Sequence, residues 1–218
     1  MKHAALLVEL FTEELPPKSL KRLGESFAQS VYQSLNHDHL LEAGTHIQSF
    51  ASPRRLAVLI SEVCEQAPDY PVREKLLPTS IAFDEQGKAS APLLKKLASL
   101  GYANTPIDQL ETSGEGKNQA LYLNIIAKGA SLSTSLQRAI EEAIKQLPIA
   151  KMMHYQITAP NGSIHDVEFA RPVHRILAIH GSRVVPITAL GITASNTTEG
   201  HRFMSSGPIA IQNAIDYE

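Results

Sequence analysis

The chain has 218 residues, with 20 Lys and Arg against 22 Asp and Glu, so its formal charge is −2 with histidine neutral. A hydrophobic fraction of 43% supports a buried core of one or two domains and argues against an extended disordered chain. The near-neutral balance excludes a strongly basic nucleic-acid-coating protein, and no apolar run approaches the roughly 20 residues of a membrane-spanning helix.

Residues 4–11 form a short apolar run that predicts a buried strand, and Thr12-Glu13-Glu14-Leu15-Pro16-Pro17 follows it with turn chemistry. Glu9 interrupts the opening apolar run before it reaches signal-peptide length. From Pro17 onward, Leu20, Leu23, Phe27, Val31 and Leu35 recur every three or four positions, which predicts an amphipathic helix with proline in its first turn. After a loop over 36–44, the stretches 47–51 and 55–63 read as strands joined through Ser52-Pro53, so the opening is βαββ. The single cysteine, Cys64, closes no intramolecular disulfide, and a reducing, cytoplasmic setting is expected.

Residues 65–78 hold three prolines and mixed charge without a period, which predicts a linker or boundary. Residues 89–100 read as a helix ended by Gly101, and 120–127 as a strand after a polar turn. A third helix is predicted from Leu132, Leu136, Ile140, Ile144 and Leu147, with Glu141 four residues before Lys145 and Pro148 ending the run. The last third is β-rich. Residues 173–180 and 183–190 flank Gly181-Ser182, a pair suited to a type II′ hairpin that would set His180 against Arg183, Ala178 against Val185 and Ile176 against Ile187. Residues 215–218 read as the start of a helix, so a continuation past Glu218 is expected.

These elements predict an α+β fold of mixed or mostly antiparallel sheets with packed helices, in two subdomains. The predicted divisions are a βαββ unit at 1–64, an inserted or separate α/β subdomain at 65–128, and a helix followed by a β-rich region at 129–218.

Familiar catalytic signatures are missing. The stretch Gly114-Glu115-Gly116-Lys117-Asn118 resembles a phosphate loop only faintly, because Glu111 stands where the first glycine belongs and Asn118 replaces Ser or Thr; a hairpin turn is the expectation. There is no H-E-x-x-H, G-x-S-x-G or cysteine pair. His37, His39 and His46 lie near one another in a predicted loop but lack a companion carboxylate at helical spacing, so no metal is expected.

Charge placement says more than charge total. No acid lies between Glu168 and Glu199, a stretch holding Arg171, Arg175 and Arg183, and none lies between Glu42 and Glu62, where Arg54 and Arg55 are adjacent. Such stretches fit phosphate contact and also fit buried strands. Glu13 and Glu14 follow a strand and precede a helix, where carboxylates interact with the helix dipole or pair with Arg54 and Arg55.

Four strings are specific: Thr12-Glu13-Glu14-Leu15-Pro16, Pro53-Arg54-Arg55-Leu56, Phe169-Ala170-Arg171-Pro172 and Gly200-His201-Arg202-Phe203. In this order and spacing the chain, from Leu6 to Tyr217, resembles the N-terminal part of the β subunit of bacterial tetrameric glycyl-tRNA synthetase. Where that family usually reads Met-Arg-Trp, this chain has Met153-His154-Tyr155. The resemblance implies a non-catalytic part of a cytoplasmic heterotetramer, partnered by the α subunit, by tRNA(Gly) and by the remainder of the β subunit. It further implies that ATP and magnesium act at the α subunit and that this chain alone is inactive and needs no cofactor. Arg54, Arg55, Arg171, Arg175, Arg202 and His201 are the implied tRNA contacts, each arginine alternatively pairing with Glu9, Glu13, Glu14 or Glu168 inside the fold. The competing expectation is an assembly module that joins the subunits without touching tRNA.

Overall fold

A strand that lies in the middle of a sheet and is covered on both faces reads as a near-continuous apolar run, and β1 (His3–Thr12) is such a strand, interrupted within the run by Glu9. The computed structural model describes residues 3–84, 86–114, 119–158, 162–205 and 207–217. The turn after β1 enters a 3-10 turn at Pro17–Ser19 and then α1 (Leu20–His37), whose Leu23, Phe27, Val31 and Leu35 form its buried face. β2 (Ile47–Ser52) and β3 (Arg55–Cys64) complete the expected βαββ opening.

The chain then makes a separate unit, Asp69–Lys128, before returning to the first at Gly129. The segment expected to be a linker contains β4 (Tyr70–Pro78). Its prolines are compatible with a strand because β4 is at the edge of its sheet, where a missing N–H interrupts no inner ladder. α2 (Thr79–Ala82) and α3 (Ala91–Ser99) follow, the latter started by the Ser90 hydroxyl accepting from Leu93 N–H at 3.4 Å. β5 (Glu111–Ser113) and β6 (Ala120–Ala127) finish the unit, with strand order β4-β6-β5 over a core of Leu76, Leu93, Leu97, Leu121 and Leu123. Residues 115–118, most of the faint phosphate-loop stretch, lie outside the described residues.

Back in the first unit, α4 (Leu132–Gln146) packs on α1, and Ser131 caps it through Thr134 N–H at 3.3 Å. An antiparallel ribbon of β7 (Met153–Thr158) and β8 (Ile164–Phe169) precedes β9 (Val173–His180). The main sheet has the order β10-β9-β1-β3-β2, where β10 is Arg183–Val184, and every pairing in it is antiparallel. Leu6, Val8 and Leu10 face the helices together with Val58, Ile176 and Ala178. Leu7, Leu177 and Ile179 face the other way, under Ala214 of a 3-10 turn at Ala214–Tyr217. Each large apolar side chain so enclosed contributes about 1.5–3 kcal/mol relative to exposure.

The expected hairpin holds only near its turn. Gly181 has φ +58° while Ser182 does not have a positive φ, as a type II′ turn requires, and His180 opposes Arg183. Val185 N–H still donates to Ala178 C=O at 2.9 Å, but Pro186 follows, and it has no N–H to extend the ladder. The predicted Ile176–Ile187 pair is therefore replaced: Ser195 N–H donates to Ile176 C=O at 2.9 Å, while Ile187 C=O accepts from Ala194 N–H. The remaining short strands are β11 (Thr188–Ala189) with β12 (Ile192–Thr193), and β13 (Thr197–Glu199) with β14 (Pro208–Ala210).

Candidate nucleic-acid interface

Sheet register brings most of the candidate residues together. Phe11 opposes Arg55 on one neighbouring strand and Arg175 on the other, so the three side chains stand side by side at one end of the sheet. The turn after β1 is strapped down at the same end: Thr12 N–H donates to Arg54 C=O, Glu13 N–H to Pro172 C=O and Leu15 N–H to Pro53 C=O, at 2.8, 2.8 and 2.6 Å. The strings Thr12–Pro16, Pro53–Leu56 and Phe169–Pro172, the last more than a hundred residues beyond the second, therefore form one surface.

Ion pairs organise that surface. Arg54 donates through Nε to Thr12 C=O at 3.2 Å and through Nη2 to Glu13 Oε1 at 3.3 Å, with its guanidinium 4.9 Å from the centre of the Phe11 ring. His174 Nε2 meets the same Glu13 oxygen at 2.8 Å. That hydrogen bond, helped by the charges on Arg54, His174 and Arg202, outweighs partial burial and holds the Glu13 carboxyl below its usual value. Arg175 donates to Glu199 Oε1 at 3.0 Å, and Arg55 donates to the Glu199 backbone carbonyl at 2.6 Å.

Beneath them is Glu9, only 1% exposed, in contact with Arg55 at 3.7 Å and accepting hydrogen bonds from the Thr198 and Tyr217 hydroxyls. Burial first, and then the charge of Glu9 and its hydrogen bond, push the Tyr217 hydroxyl far above its ordinary value, so it stays protonated as a donor. Among the anticipated partners of the arginines, Glu9 and Glu13 take part, Glu14 contributes its backbone carbonyl to Arg171 Nε at 3.0 Å, and Glu168 instead meets His154 at 3.5 Å. Arg171 also donates to Ala170 C=O at 3.0 Å.

Arg202 and His201 are placed differently. Both are exposed on the turn between β13 and β14, next to Phe203 and Met204, which are each 86% exposed. The Arg202 guanidinium is 5.9 Å from the Phe203 ring centre and the His201 ring 6.0 Å, and no ion pair of Arg202 is found among the described residues. A cleft of about 360 Å³ separates this turn from Phe11, Pro53, Arg54 and Arg55, and a second of about 430 Å³ lies between Phe11, Glu13, His174 and Glu199. The arrangement places ion-paired cations at the cleft rim beside an exposed guanidinium and an exposed aromatic ring, groups of the kind able to meet a phosphate and a base face.

Sequence reasoning missed Thr198 and Tyr217 as members of this region, and named Phe203 within its string without giving it a role. Glu9 carried a readable signal, a lone acid in an otherwise apolar strand, but its hydroxyl partners are 189 and 208 residues away.

Residues 6–218 match the family model described as the glycyl-tRNA synthetase beta subunit. The chain belongs to the glycyl-tRNA synthetase beta subunit family. It is 47% identical to the glycine–tRNA ligase beta subunit of Ralstonia nicotianae over 98% of this chain and 31% of that protein. It is 45% identical to that of Methylobacillus flagellatus over 97% of this chain and 31% of the relative, and 47% identical to that of Acidovorax ebreus over 100% and 30%. The chain thus spans about 31% of the length of the curated relatives it matches. The strings Thr12–Pro16, Pro53–Leu56, Phe169–Pro172 and Gly200–Phe203 lie at the same end of the main sheet and in its adjoining turns. Among the described residues, no helix is long and apolar enough to cross a membrane.

Proposed function

We propose that this chain is a non-catalytic, N-terminal portion of a cytoplasmic glycine–tRNA ligase β subunit that helps bind tRNA(Gly) and position it for aminoacylation at the α subunit. The observation that carries the reading is the exposed cation–aromatic turn His201-Arg202-Phe203 beside an arginine-lined cleft. A-form RNA offers phosphates and 2′-hydroxyls more readily than base edges in its deep groove, so positioning calls for fixed donors rather than a base code. The planar Arg202 guanidinium suits phosphate, and Phe203 suits stacking on an unpaired base. Arg54, Arg55 and Arg175 serve this surface by shaping it, since carboxylates already hold them.

Glu9, Glu13 and Glu199 are each engaged by arginine, histidine or hydroxyl partners, which supports a positioning role for this surface. In this proposal ATP and magnesium act at the α subunit, and the chain alone is inactive. A second reading, assembly without tRNA contact, draws support from a separate cleft of about 1100 Å³, lined in part by Ile144, Ile157, Leu190 and Ile192. Fluorescence anisotropy with tRNA(Gly) and an unrelated tRNA across a salt series decides between them. Salt-dependent binding with preference for tRNA(Gly) supports the first reading; co-purification with the α subunit without any RNA binding at low salt selects the second.

A further inference from the structure

At the opposite end of β1 from the arginines, the antiparallel register sets His3 directly against Cys64, and such partners project to the same face. The loop after α1 is tied to the same point. Cys64 N–H donates to Leu40 C=O at 2.8 Å and Leu41 bridges Val63, which delivers Glu42 over the pair. Cys64 Sγ is 3.7 Å from His3 Nδ1 and 4.0 Å from Nε2, and His3 Nε2 is 3.4 Å from Glu42 Oε1. One donor atom from each residue lies within 4.8 Å of the other two. Cys64 is 4% exposed, His3 is half-buried and Glu42 is exposed, so the sulfur forms the floor of the cluster and the carboxylate its rim.

We propose that His3, Glu42 and Cys64 form a zinc site. A thiolate, an imidazole and a carboxylate are the donor types zinc takes, whereas magnesium and calcium prefer oxygen alone. With ligand bonds of about 2.0–2.3 Å and tetrahedral angles, neighbouring donors sit about 3.3–3.6 Å apart. The 3.4 and 4.0 Å separations about His3 Nε2 are within a few tenths of an ångström of that spacing, and the sulfur and the Glu42 carboxylate, within 4.8 Å of each other, reach it by rotation of the exposed Glu42 side chain. Three protein ligands leave the fourth position for water on the solvent side. The histidines that stand out in the sequence do not contribute: among the described residues no such trio includes His37, His39 or His46. The site is built from positions 3, 42 and 64, which only the β1–β3 register and the tethered loop bring together. Bound zinc would clip the first residues of β1 to the end of β3 and to the loop after α1.

The test is a zinc and cobalt(II) titration of the 218-residue chain carrying any tag at its C-terminal end, away from His3. The expected result is one equivalent of zinc and a thiolate-to-cobalt charge-transfer band that C64S abolishes. H3A and E42Q are each expected to weaken zinc binding at least about tenfold while circular dichroism stays unchanged. No binding by the wild-type chain overturns the proposal, as does unchanged affinity in both H3A and E42Q. Those two partly exposed positions carry the test if C64S fails to fold.

Discussion

A buried carboxylate is tolerated only where its charge is met, and Glu9 is met by Arg55, Thr198 and Tyr217 at once. Removing it leaves two hydroxyls without their acceptor and Arg55 with the Glu199 carbonyl but no countercharge, so E9A is expected to cost about 3 kcal/mol in urea unfolding. Y217F removes one hydrogen bond to a charged acceptor and is expected to cost about 1.5–3 kcal/mol. Glu13 behaves differently because it is about two-fifths exposed. Its folded value lies below the ordinary 4.5, so its contribution to stability is present above that value and lost as pH falls through the lower folded one. E13Q should therefore flatten the acid limb of a stability–pH profile, by no more than about 0.2–1 kcal/mol for so exposed a pair. An unchanged limb would mean that His174 and Arg54 do not stabilise the Glu13 charge in solution.

Among the elements, α1 shows how packing overrides propensity. Glycine in a helix interior usually costs about 1 kcal/mol relative to alanine, yet a Cβ on Gly24 would lie 2.8 Å from the Ala51 Cβ of β2. G24A is expected to lower the thermal midpoint, and adding A51G to restore it; a midpoint raised by G24A alone would refute the close approach. The three longer helices and the inner strands were legible because period and burial agree in them, as Leu23, Phe27, Val31 and Leu35 illustrate, whereas the single turn of α2 was not. The β4 strand was not, since an edge position lets prolines and charges into it. Nor was the β7–β8 ribbon, whose exposed Met153, His154 and Ile164 hide any alternation. The hairpin was legible at Gly181 but its far end depended on Ser195, a distant residue that takes the place Pro186 cannot extend.

On the scale of the whole molecule, the chain leaves the first unit at Pro68 and re-enters it at Gly129, and these crossings touch. Ala67 N–H donates to Ala130 C=O at 2.9 Å, Leu132 N–H to Glu65 C=O at 3.0 Å, and a Cβ on Gly129 would collide with the Ala67 carbonyl. Replacing 69–128 by a short Gly-Ser linker is expected to leave the remaining unit with a cooperative thermal transition; its absence would show that the first unit needs the second. The candidate site was legible as strings but not as a surface, because nothing local says that Phe11, Arg55 and Arg175 are neighbours or that, among the described residues of this region, Arg202 is the arginine with no hydrogen bond or ion pair to a carboxylate or carbonyl. That distinction is the core of the functional account. The most direct test measures tRNA(Gly) affinity across a salt series for R202A and R55A, alongside their thermal midpoints. The account predicts that R202A binds more weakly, with a log–log salt slope reduced by about one and an unchanged midpoint, whereas R55A chiefly loses stability. Wild-type affinity and slope in R202A would contradict it.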